Sequence, residues 1–131
     1  MIENTPSERI ADIVARQRSF FSSHQTLSVD YRLRMLRRLR EGILRHEEAL
    51  CRALYADLHK SYEEAYLTEI SIILGEIDNF LKHLAAWAAP AKKSTPSKLL
   101  PSRRVIVTEP LGVALIRAPR NYPVQLLPQP L

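Results

Sequence analysis

Cysteine, membrane-length apolar runs and, over the first 89 residues, proline are what this 131-residue chain has least of. Its single cysteine, Cys51, rules out an internal disulfide and gives no zinc pattern. The four histidines, His24, His46, His59 and His83, are scattered, and none pairs with cysteine or another histidine at metal-ligand spacing, so no metal is assigned. No stretch reaches the roughly 18 to 20 uninterrupted apolar residues of a membrane span. The opening MIENTPSERI lacks the basic and apolar regions of a secretory signal, so a cytoplasmic protein is expected. Internal repeats and low-complexity tracts are also missing.

What is there fits a soluble globular chain: 46% hydrophobic and 25% charged residues, with a length that suits one domain better than two. The net charge is +5, and residues 32 to 45 (RLRMLRRLREGILR) hold six arginines against one glutamate, which equals it. The basicity is therefore a property of one segment. A dispersed basic surface would argue more strongly for nucleic acid.

Only Pro6 precedes residue 90; the other eight prolines follow. Thr5-Pro6-Ser7-Glu8 predicts a helix start with Thr5 as N-cap and Glu8 closing a capping box. Ile10, Ile13, Val14, Gln17 and Phe20/Phe21 then keep helical spacing to about Ser22. Ser28 can cap a second helix, whose stripe is Val29, Leu33, Leu36, Leu39 and Ile43. Gly42 weakens that helix by about 1 kcal/mol against alanine, so a bend is expected near Arg45 and His46. Glu47 and Glu48 suit the first turn of a third helix, which carries Leu50, Leu54, Tyr55 and Leu58. A fourth is expected from about Tyr62 to Ala88, with Ala65, Ile70, Ile73, Leu74, Ile77, Phe80, Leu81, Leu84 and Trp87 apolar. Roughly 27 residues make it about 40 Å long, which suggests packing on something larger.

From Pro90 the composition shifts. Residues 90 to 103 read as a basic linker rich in Pro, Ser and Lys. Arg104 to Thr108 and Val113 to Ile116 read as short strands about a Glu109-Pro110-Leu111-Gly112 turn. The second is apolar throughout, as in a strand buried on both faces of a parallel sheet. Such a sheet needs further strands and crossover helices that these residues do not supply, so the chain reads as cut off.

The stretch "EPLGVALIRAPRNYP" resembles the aldehyde dehydrogenase superfamily, which has a similar strand followed by a Pro-Trp-Asn-Tyr/Phe-Pro turn. "RQRSFFSSHQT", "YRLRMLRRL", "ALYADLHKSYEEAYLTEI" and "LGEIDNFLKHLAAW" are similar to the N-terminal helices of the class 3, or fatty-aldehyde-type, members. The likeness runs from about Ala15 to Leu131 in the expected order. It implies a fold class: a mostly α N-terminal helical layer plus a short β segment, the N-terminal fragment of an α/β, Rossmann-like enzyme. Residues 1–89 would pack on the cofactor domain and 90–103 would be the linker. Residues 104–131 would be the strand of an oligomerisation arm, then the first strand and turn of the incomplete NAD-binding domain.

The resemblance also implies chemistry. An aldehyde is oxidised to a carboxylic acid with NAD or NADP: a Cys thiolate attacks the carbonyl, hydride leaves for the nicotinamide, and a Glu activates the hydrolytic water. By family position Asn121 is the side-chain amide that donates to the oxyanion, and Tyr122 and Tyr66 line the substrate tunnel. An uncharged amide donor suits a developing negative charge. The mouth of a strand is where open α/β sheets bind ligands. The family's nucleophile, general base and cofactor motif lie beyond Leu131, and Cys51 has no family motif around it. The 131 residues alone are therefore expected to be inactive and to bind no cofactor, while the parent enzyme would be a homodimer. One departure stands out: Arg120 occupies the family's Trp position. It is either exposed, or a mark of drift in a gene remnant.

Two other functions fit the composition. One is a non-enzymatic helical module associating through an exposed apolar face. The other is a basic module that binds nucleic acid through residues 32 to 45, although no aromatics are interleaved there for base stacking. An anionic membrane is a weaker partner for the same face.

Overall fold

In the computed structural model, which describes residues 4–130, the proline-poor stretch is helical: α1 (Ser7–Ser22), α2 (Val29–Arg45), α3 (Glu47–Leu58), α4 (Tyr62–Ala65) and α5 (Ser71–Ala88). Pro6, not Thr5, takes the cap position of α1. Its ψ of 142° keeps it extended, so the helix starts one residue later and Glu8 falls out of capping-box register. The expected cap of α2 is present: the Tyr31 N–H donates to Ser28 Oγ at 3.3 Å. The expected break also forms, with His46 between α2 and α3 and Glu47 and Glu48 in the first turn of α3.

The stretch from Tyr62 to Ala88 is not one uniform helix. Between α4 and α5 lies a π-turn, Tyr66–Ile70, in which the backbone takes up extra residue length without leaving the helical path. Hydroxyls serve carbonyls in and just before it, with Thr68 Oγ1 donating to the Glu64 carbonyl at 2.7 Å and Ser71 Oγ to the Leu67 carbonyl at 2.9 Å.

Contacts divide the chain into two compact units, where the length had suggested one domain. The first comprises residues up to Tyr31 with Leu84–Ala114; the second comprises Arg32–His83 and the chain from Leu115 onward. The buried core lies in the second: Ile43 from α2, Cys51 and Leu54 from α3, Ala65 from α4, and Ile70, Ile73, Leu74 and Ile77 beyond it. Each large aliphatic side chain removed from water there stabilises by about 1.5–3 kcal/mol. Arg40 ties α2 to α5 through a fork on Asp78, Nε to Oδ1 at 2.8 Å and NH2 to Oδ2 at 3.3 Å. That pair raises the Arg40 pKa and lowers that of Asp78. Tyr55, expected among the apolar residues of α3, is exposed; one residue past buried Leu54, it is turned about 100° away.

In the first unit the apolar residues of α1 stay near the surface, Ile10, Ile13 and Phe20 being 36–50% exposed. Phe20 meets Tyr31 with ring centroids 6.1 Å apart. The segment 90–103, expected as a linker, carries a strand. β1 (Ala91–Lys93) pairs antiparallel with β2 (Arg104–Ile106), Lys92 opposite Val105, and Arg104 NH1 reaches the Ser94 carbonyl at 3.2 Å. The expected strand over Val113 to Ile116 is not formed. A strand is defined by its ladder, and among the described residues no other segment pairs with it. Gly112, which precedes it, takes a φ of 117° that side-chain-bearing residues rarely adopt.

Candidate functional site

Everything that surrounds Asn121 belongs to the second unit. The chain reaches it through the exposed Arg120, whose NH2 sits 2.5 Å from Asp57 Oδ1 at the end of α3. That pairing raises the Arg120 pKa, chiefly through the hydrogen bond. Of the two outcomes expected for Arg120, exposure is the one seen, and the guanidinium is not left unpaired. After Asn121 and Tyr122 comes α6 (Pro123–Leu126), a single turn with proline at its first position. Val124 from this turn packs against the core.

Beneath the loop lie two charges that the sequence reading did not single out. Glu69 is fully buried on the π-turn, and Lys60 is 8% exposed. Lys60 follows His59, which caps α3 in the left-handed conformation (φ 56°) and so turns the chain inward. The Lys60 ammonium donates to Glu69 Oε1 at 2.6 Å. It also donates to the Asn121 carbonyl at 3.1 Å, and lies 4.1 Å from the centre of the Tyr122 ring. The other carboxylate oxygen, Glu69 Oε2, accepts from the backbone N–H groups of Val124 (2.7 Å) and Gln125 (3.2 Å). These are two of the donors that the first turn of a helix leaves without intrahelical partners. Buried charges are tolerated when they are paired and their remaining hydrogen-bonding capacity is filled, which is the case here.

Of the residues singled out from sequence, Asn121 is exposed and Tyr122 is 37% exposed. Tyr66 is half-buried against the core and opens the π-turn that carries Glu69 and contacts α6. Tyr66 thus lies on the π-turn, and Asn121 and Tyr122 immediately precede the short helix that touches it. The signal for Glu69 was present in the sequence: Ala65, Glu69, Ile73 and Ile77 recur in fours, so an acidic residue interrupts a buried stripe.

Cys51 sits elsewhere, 4% exposed in α3, where burial first and the charge of Glu47 second push its thiol pKa up. A reactive cysteine needs the opposite shift. It lines an open recess of about 510 Å³ with Glu48, Arg52, Tyr55 and Tyr62. A smaller apolar cavity of about 30 Å³ lies among Leu36, Leu39, Ile73, Ile77 and Phe80. No group of three or more His, Cys, Asp or Glu placed to hold a metal ion occurs among the described residues. Nor is any helix among them long and apolar enough to cross a membrane.

Comparison with known proteins follows the same lines. The model of the aldehyde dehydrogenase family matches residues 2–130. The 4,4'-diaponeurosporen-aldehyde dehydrogenase of Staphylococcus aureus is 40% identical over 114 residues, 87% of this chain and 25% of that protein. A dimeric, NADP-preferring aldehyde dehydrogenase of the dog, Canis lupus familiaris, is 37% identical over 94% of this chain and 27% of its own length. A solved substrate-bound state of the Staphylococcus aureus protein AldH superposes with a TM-score of 0.85 at 37% identity, covering 95% of this chain and 26% of that one. The chain therefore spans about a quarter of the length of the relatives it matches, and corresponds to their N-terminal region. The chain belongs to the aldehyde dehydrogenase family.

Proposed function

We propose that these residues form the N-terminal portion of an NAD(P)-dependent enzyme that oxidises aldehydes to carboxylic acids, with Asn121 as a donor to the oxyanion. The observation that carries this reading is the presentation of Asn121. Its backbone carbonyl is tied inward to buried Lys60, while the residue itself stays exposed at the surface of the unit. A preorganised neutral donor held this way stabilises charge on a carbonyl oxygen without having to reorganise during the reaction. Tyr122 and Tyr66 are assigned to the aldehyde-binding side of the same region. A homodimer in the cytoplasm is part of this reading, the dog relative being described as dimeric.

The residues present do not fit a nicotinamide dinucleotide. Gly112 is the one glycine at positive φ, and it neither follows a strand directly nor opens a helix, so it offers no helix N-terminus as a phosphate cradle. The attacking thiolate and the cofactor contacts are assigned to the remainder of such an enzyme.

The test is a chimera in which these residues replace the corresponding N-terminal quarter of the Staphylococcus aureus relative. It should reduce NAD(P) in the presence of an aldehyde, and Asn121→Ala should lower turnover by about 10² to 10³. A folded, active chimera indifferent to that substitution would overturn the assignment.

A further inference from the structure

We propose that Lys60 and Glu69 are positioning residues for Asn121, a buried ion pair whose role is to hold residues 121–125 as one rigid loop. The proposal rests on the preceding reading for what Asn121 does, but not for how the loop is held.

The argument is one of accounting for every bond. Lys60 has three N–H donors, directed to Glu69 Oε1 (2.6 Å), to the Asn121 carbonyl (3.1 Å) and over the Tyr122 ring (4.1 Å). Glu69 spends one oxygen on Lys60 and the other on the Val124 and Gln125 amides (2.7 and 3.2 Å). Apart from each other, the two side chains touch only the backbone or ring of residues 121 to 125 through these contacts. A pair kept only to brace the longer helices would have bonds to α2, α3 or α5, and apolar residues of similar volume would do as well. Here the charges reach across 55 to 61 residues of sequence to one five-residue segment, taking hold at the Asn121 carbonyl and again at the amides three and four residues further on. The backbone is fixed at the Asn121 carbonyl while the residue stays exposed. Placement within about half an ångström is what a transition-state donor requires.

Amide hydrogen exchange on the 15N-labelled 131-residue chain provides the test. In Glu69→Gln, the Val124 and Gln125 amides should exchange roughly tenfold faster while those of Ile73 and Ile77 in α5 keep their rates. The Asn121 side-chain NH2 signals should move to the positions of an unconstrained amide. Lys60→Arg, which keeps the charge and the donors, should retain most of the protection. If Glu69→Gln does not fold, the double variant Lys60→Met/Glu69→Gln leaves no lone buried charge and gives the same reading. Unchanged rates at Val124 and Gln125 in a folded variant overturn the proposal. So does acceleration shared equally with α5, which would signify only global stability. No aldehyde enters this measurement, so failure of the dehydrogenase reading would appear in the chimera alone.

Discussion

Single side chains here take their character from one neighbour each. The Tyr62 hydroxyl donates to the Glu47 carboxylate, and that hydrogen bond, with burial and the negative charge of Glu47 adding to it, pushes the Tyr62 pKa up to about 12. Because the folded value is raised, the stabilisation is fully present below the ordinary value of 10.0 and is lost as pH climbs through about 12. A phenolate absorbance titration should therefore show a step displaced to about pH 12. Glu47→Gln removes the charge that opposes the phenolate and should bring that step back towards the ordinary range. A titration unaltered by the substitution would show that the bond does not form in solution.

At the level of elements, the amphipathic helices were legible because their apolar residues recur every three or four positions; this held for α2, α3 and α5. The π-turn was not legible. Tyr66 to Ile70 keep an ordinary helical pattern in sequence, and only the packing of Ala65 on one side and Ile70 on the other reveals the extra length. Nor was β1 legible, since Ala91–Lys93 is exposed at every residue and pairs only with β2. Conversely Val113 to Ile116 has a strand's composition without a strand's neighbours. Asn121 was singled out through the family resemblance, whereas Lys60, and what Glu69 does on its buried stripe, become visible only when residues 55 and more positions apart are brought together. Deleting Leu67 tests the π-turn. Its own side chain is exposed, and its loss should let the turn close to α with Ala65 and Glu69 still nearly in phase, so that Tm falls little. Deleting the exposed Ile72 from the regular helix α5 should instead set Glu69 about 100° out of phase with Ile77. The broken ion pair should then cost about 3–5 kcal/mol, seen as a lowered Tm. Equal effects from the two deletions would mean that the turn absorbs no extra length.

Taken whole, the molecule has one cysteine, and that thiol is buried with its pKa raised. The purified 131-residue chain should therefore yield no NADH or NADPH from an aldehyde, measured by nicotinamide absorbance. Turnover that survives Cys51→Ser would require a different nucleophile. Many large apolar side chains face outward, among them Leu67, Leu111 and Leu115. This suits a portion of a larger enzyme, as does the quarter-length match to its relatives.

During translation Lys60 and Glu69, nine positions apart, leave the ribosome together, whereas their backbone partners at Asn121, Val124 and Gln125 are added some fifty codons later. The receptacle is built before the plug. Until those residues emerge, the nascent polypeptide carries a half-satisfied ion pair that water must continue to hydrate, so this corner dries later than the apolar core beside it.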